Sequence, residues 1–87
     1  MSTGRAAAPG YSSGMAKRPD IQLMLGRRMR RLRERRKMTQ EAFARAIGMD
    51  VSYYASCERG QRDVGLLALA RIAAGFGVTV SRLLKFD

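Results

Sequence analysis

The chain has 87 residues, a ceiling of one domain whose core is marginal but sufficient for an all-helical fold. Its 17 basic against 7 acidic side chains give a formal net charge of +10, which selects a polyanionic partner: nucleic acid first, an acidic membrane surface second. With no histidine and a single cysteine, the composition excludes an internal disulfide and a zinc site.

No apolar run approaches the roughly 20 residues of a membrane span, and the start of the chain lacks a signal-peptide segment, so a cytoplasmic protein is expected. Residues 1–19 are rich in Gly, Ala and Ser, contain Pro9 and show no period; they read as a flexible basic tail. Arg5, Lys17 and Arg18 make this tail either an arm that wraps the polyanion or a solvated segment, and Met15 offers an alternative start. The domain is expected to occupy residues 20–87. Asp20 has the right chemistry to cap a first helix running to about Arg36, with Leu25, Met29 and Leu32 as its apolar stripe. Around that stripe lies RRMRRLRERRK, residues 27 to 37, with eight basic residues and one acid. Helical geometry turns most of this run toward water, so only its C-terminal part, chiefly Arg36 and Lys37, is expected to reach a nucleic-acid backbone.

The stretch from Met38 to Gly60 organises the rest. Thr39 is an N-cap, Gln40 and Glu41 open a short helix, and Phe43, Ala44 and Ile47 share a face spaced for burial. Gly48 stands where a chain leaves a helix with positive φ, and Asp50 caps the next helix. Ala44 and Gly48 are small where two helices are expected to approach closely. Tyr54 and Cys57 lie three apart on the inner side of that next helix, and Gly60 ends it. This is the spacing of a helix-turn-helix, in which the second helix is held out to enter a DNA major groove. A polar loop follows, Gln61 to Gly65, with Arg62 within reach of a phosphate and Asp63 placed to cap the fourth helix. Leu66, Leu69, Ile72, Ala73 and Phe76 read as that helix's core stripe, closed by Gly75 and Gly77. Thr79 caps a short fifth helix from Val80 to about Lys85, and Leu83 completes the core.

Thr39-Gln40-Glu41, Phe43-Ala44, Ile47-Gly48, Glu58-Arg59-Gly60, Gly77-Val78-Thr79-Val80 and Leu83-Leu84 together resemble the Cro/C1-type (XRE) group of phage repressors. The resemblance runs from about Leu25 to Leu84. It implies an all-α, five-helix, lambda-repressor-like DNA-binding domain with a helix-turn-helix. It also implies a structural ion pair between Arg33 and Glu58, tying the first helix to the end of the recognition helix. Gln40 would sit where the family hydrogen-bonds a backbone phosphate, a contact that sets register without reading sequence. The C-terminal end, with Val80, Leu84 and Phe86, would be a dimer contact, as in many small family members; the alternative is that these residues only finish the core.

The outward positions of the recognition helix are expected to be Val51, Ser52, Tyr53, Ala55 and Ser56. Ser52 and Ser56 can hydrogen-bond base edges, and Val51 can pack on a thymine methyl where the family often has a long polar residue. Tyr53 suits the sugar-phosphate wall. Few of these groups are long enough for bidentate recognition, so dimer spacing and DNA shape are expected to supply much of the specificity. Cys57 reads as a small buried apolar residue, with a redox sensor as the alternative.

The function expected from this pattern is a sequence-specific bacterial transcription regulator on double-stranded DNA. It would act as a homodimer on a two-fold operator and regulate its own gene, like a restriction–modification controller or a Cro-like repressor. Alternatives are an antitoxin with a toxin partner, a non-specific nucleic-acid or ribosome-associated module, and a membrane-surface peptide built on the first helix. A polymerase contact has no motif of its own. Without histidine, paired carboxylates or a Gly-rich phosphate loop, neither an enzyme nor a cofactor is expected.

Overall fold

The computed structural model describes residues 20–86, and among these every regular element is an α-helix. The tail expected over residues 1–19 lies outside the described residues. The helices are α1 (Ile21–Arg35), α2 (Gln40–Ala46), α3 (Val51–Glu58), α4 (Leu66–Phe76) and α5 (Val80–Leu83). Four begin at a side-chain cap read from the sequence. Asp20 accepts from the Leu23 N–H, Thr39 from Ala42, Asp50 from Tyr53 and Thr79 from Arg82. Each such cap satisfies a backbone donor that the helix leaves unpaired and is worth about 1 kcal/mol. α4 differs. Its N-cap is Gly65, which has no capping side chain, so Asp63 does not cap it.

The core is assembled from all five helices: Leu25 and Met29 of α1, Phe43 and Ala44 of α2, Tyr54 and Cys57 of α3, Ile72, Ala73 and Phe76 of α4, and Leu83 of α5. Phe43 stacks on Phe76 with ring centroids 4.1 Å apart and tilts against Tyr54 at 5.3 Å, so α2 is clamped between α3 and α4. The expected stripe of α4 is interrupted at its start, because Leu66 is 73 % exposed. Its periodicity identifies a shared face, but the first turn of that face projects beyond the core.

Two glycines have different reasons to be glycine. Gly48, in the α2–α3 turn, has φ +68°, and a Cβ there would meet nothing within 4 Å. It is needed for its backbone conformation, not to let helices approach closely. Gly26, inside α1, is the reverse: a Cβ would collide with the Glu58 carbonyl oxygen and lie 2.8 Å from that of Cys57. Helix α1 therefore rests directly on the last turn of α3. Gly75, expected to help close α4, lies within it instead, where a Cβ would press on Ile47 and come within 2.9 Å of the Phe43 ring.

Candidate nucleic-acid interface

The carboxylate of Glu58 joins three helices from inside. Arg33 of α1 donates Nε to Oε2 at 2.7 Å and Nη2 to Oε1 at 2.9 Å, a bidentate pair. Tyr54 donates its hydroxyl to Oε2 at 2.6 Å, and Gln40, the first residue of α2, donates Nε2 to Oε1 at 3.0 Å. Arg33 Nη1 also reaches the Met38 carbonyl at 2.8 Å, in the link between α1 and α2. The side chains of Arg33 and Glu58 are only 12 % and 2 % exposed. Burial alone would push the Glu58 carboxyl up, but hydrogen bonds from Arg33, Tyr54 and Gln40 outweigh it and hold the group below the usual carboxylate range. Burial and the hydrogen bond to Glu58 push the Tyr54 hydroxyl far up, so it remains a donor. The expected Arg33–Glu58 pair is thus one part of a larger network that fixes where α3 points.

Helix α3 presents little to a duplex. Val51, Tyr53 and Ala55 are half-buried, and among the residues of α3 only Ser52 is exposed. Ser56 was expected to face outward, yet it is 7 % exposed. Its hydroxyl donates to the Tyr53 carbonyl at 2.8 Å and accepts from Arg62 Nε at 3.0 Å. The loop after α3 folds back over this last turn, and the Arg62 guanidinium lies 5.3 Å above the Tyr53 ring. Ser56 therefore holds the loop and does not face a groove. Arg62 is exposed but engaged with Ser56 and Tyr53. Cys57 is buried, and burial pushes its thiol up despite nearby Arg62, which argues against a reactive thiolate.

The backbone candidates also separate. Arg36 is not directed at a partner: Nη2 donates to the Phe76 carbonyl at 2.6 Å and Nη1 to that of Gly75 at 3.2 Å, satisfying the C-terminal end of α4. Arg28 similarly donates to the Arg82 carbonyl at the end of α5. Three arginines of the basic run, Arg28, Arg33 and Arg36, are thus used inside the chain, a division that a charge run does not display. Gln40 gives one amide N–H to Glu58 and stands at the start of α2.

Lys37 is exposed and has φ +57°, the only non-glycine with positive φ among the described residues. It occupies the position where helices commonly end in glycine: its N–H reaches the Glu34 carbonyl at 2.9 Å, and the next N–H, of Met38, reaches Arg33 at 3.4 Å. A left-handed lysine costs about 1–2 kcal/mol, more than the about 0.5–1 kcal/mol of chain entropy that a glycine loses. Lys37→Gly is therefore expected to raise the melting temperature while weakening DNA binding. A lowered melting temperature would show that Lys37 contributes packing that outweighs its strain.

Of the expected dimer residues, Val80 and Phe86 are half-buried against the core, while Leu84 is 37 % exposed. Leu84 lines a cleft of about 200 Å³ with Ile21, Leu25, Val64 and Leu69. Leu66, expected in the core, and Leu67 are both exposed at the start of α4.

Two helices, α2 and α3, joined at the Gly48 turn in a chain of net charge +10 have the arrangement of a helix-turn-helix DNA-binding protein. The pattern of the helix-turn-helix domain family matches residues 24–85. The control protein C.MunI of a Mycoplasma species is 43 % identical over 65 residues, covering 74 % of this chain and 88 % of that protein. A hypothetical transcription factor of Neisseria meningitidis serogroup B is 32 % identical over 65 residues, covering 75 % of this chain and 61 % of its own length. The crystal structure of the restriction-modification controller protein C.AhdI from Aeromonas hydrophila superposes with a TM-score of 0.68 at 34 % identity, covering 74 % of this chain and 96 % of that one. The chain belongs to the helix-turn-helix domain family, among its Cro/C1-type (XRE) DNA-binding transcription regulators. Among the described residues no helix is long and apolar enough to cross a membrane.

Proposed function

We propose that this sequence-specific DNA-binding regulator is a controller-type protein that binds as a homodimer to a two-fold operator upstream of its own gene. The observation that carries this reading is the buried Glu58 network, which sets the angle of α3 before DNA arrives and leaves Ser52 at its exposed start. Kinship with two controller proteins supports the controller role. Val51 and Ser52 would contact bases, while Gln40, Lys37, Tyr53 and the backbone donors at the start of α2 would contact phosphates. Arg62 would join them after leaving Ser56. With one exposed polar reader on α3, discrimination per half-site is modest, and a two-fold protein multiplies it over half-sites roughly 34 Å apart.

Fluorescence anisotropy on the DNA upstream of the gene and on a scrambled duplex, at several salt concentrations, tests this reading. Tighter binding to the native duplex that persists at physiological salt is expected. Ser52→Ala should change preference at particular bases. Equal binding that collapses together as salt rises would leave only the electrostatic component and refute the operator assignment. The exposed apolar side chains Ile21 and Leu84, which line one cleft, and Leu66 and Leu67 at the start of α4 support the homodimer, since exposed apolar surface marks association sites. Leu67→Glu, at a side chain 84 % exposed, is expected to leave the melting temperature of the monomer unchanged while shifting light-scattering mass toward one chain. A wild-type protein that is monomeric at all concentrations tested would remove the dimer from the proposal.

A further inference from the structure

A cleft of about 620 Å³ opens beside the Glu58 network, between α1 and the loop leaving α3. It is lined by Arg27, Arg30, Arg33 and Arg59, together with Gln40 and Gln61. Against these four arginines stands one carboxylate, Glu58, which is buried and already paired with Arg33. Arg27, Arg30 and Arg59 are exposed. Arg30 touches Glu34 at 3.0 Å, but that pair is open to solvent and weak enough for a phosphate to displace. Among the described residues no carboxylate pairs with Arg27 or Arg59, and Arg59 gives only its Nε to Gln61 Oε1, at 3.0 Å. Among the described residues the charges of Arg27 and Arg59 are therefore unmatched by a carboxylate, and that of Arg30 is met only by the exposed Glu34.

The geometry points to this cleft as a seat for the DNA backbone alongside the recognition helix, with Arg27, Arg30 and Arg59 as its phosphate ligands. This inference rests on the DNA-binding role proposed above. Guanidinium groups present a planar fork of donors suited to phosphate oxygens. Arg27 and Arg30 lie about one turn apart along α1, and Arg59 faces them from beyond the end of α3. Donors spread along a cleft suit successive phosphates of a strand better than one small anion. The cleft also shares Gln40 with the start of α2, so a strand touching α2 continues into it. The N-terminal half of the basic run then adds backbone contacts to those of Lys37 and Gln40, while Arg36 stays engaged with the end of α4.

The test uses the full chain and a fluorescently labelled DNA duplex of arbitrary sequence, titrated at several salt concentrations. Arg27→Gln/Arg30→Gln is compared with Lys85→Gln, an exposed charge away from the cleft. The double variant is expected to melt like wild type and to flatten the log-log salt slope by about 1.8, the value for two lost phosphate contacts. Arg59→Gln should flatten it by about 0.9. Operator preference over a scrambled duplex should persist in both. Cleft variants that bind with the wild-type slope, or that lose no more than Lys85→Gln, would overturn the seat while leaving the DNA-binding role intact. A wild-type chain that binds no duplex overturns both. Variants impaired on duplex RNA but not on DNA would overturn DNA as the occupant.

Discussion

Glu58→Ala is expected to unfold the domain or bring it close to unfolding. The substitution removes an acceptor of four hydrogen bonds and leaves the Arg33 guanidinium buried without its partner. Removing one member of a buried pair costs about 3–5 kcal/mol, because the remaining charge is neither solvated nor matched. A domain of this size has a total stability of the same order. At about 4–8 °C per kcal/mol, the melting temperature should fall by about 12 °C or more in a circular-dichroism scan. A fall within a couple of degrees would mean that the pair is no more than a surface contact. The network also predicts a pH dependence. The folded carboxyl titrates lower than the unfolded one, so its contribution is fully present above the unfolded value and is lost as pH falls through the folded value. The difference in stability between wild type and Glu58→Gln should therefore narrow below about pH 4.5. A constant difference down to strongly acid pH would show that Glu58 has no special folded-state interaction.

Gly26→Ala pits two effects against each other. In an open helix interior the change would gain about 1 kcal/mol, since glycine is a poor helix former. Here the new methyl meets the backbone carbonyls of Cys57 and Glu58, and carbonyls cannot rotate away as a side chain can. Overpacking costs about 1–3 kcal/mol, and displacing α1 also pulls Arg33 off Glu58. A net loss of about 2 kcal/mol is expected, together with weakened operator binding as α3 changes its angle. An unchanged or raised melting point would show that α1 and α3 have room to spare.

Much of the fold was legible because it rests on local chemistry. Asp20, Thr39, Asp50 and Thr79 cap helices through their own side chains, and Gly48 takes the positive φ its position demands. What escaped depends on contacts between distant segments. Ser52 and Ser56 are four apart and share a face, but Arg62 folds back over only the second. Arg36 looks like its basic neighbours until α4 places two unsatisfied carbonyls beside it. Leu66 continues the spacing of Ile72 and Phe76, yet spacing does not say where a core ends. Gly26 did carry a signal, since a glycine inside an otherwise regular helix often marks a close approach of backbone. The Arg33–Glu58 pairing came from family resemblance; its extension to Tyr54 and Gln40 needed coordinates.

The Glu58 network spans 25 residues to Arg33 and 18 to Gln40, so it closes only when α1, α2 and α3 are all in place. A form in which α1 or α2 is undocked lacks the hydrogen bonds that aim α3. Under the controller role proposed above, chains still emerging from the ribosome, or already unfolding before proteolysis, would not compete for the promoter. The response to gene dosage would then follow the count of finished molecules, and its timing how fast they fold and are destroyed.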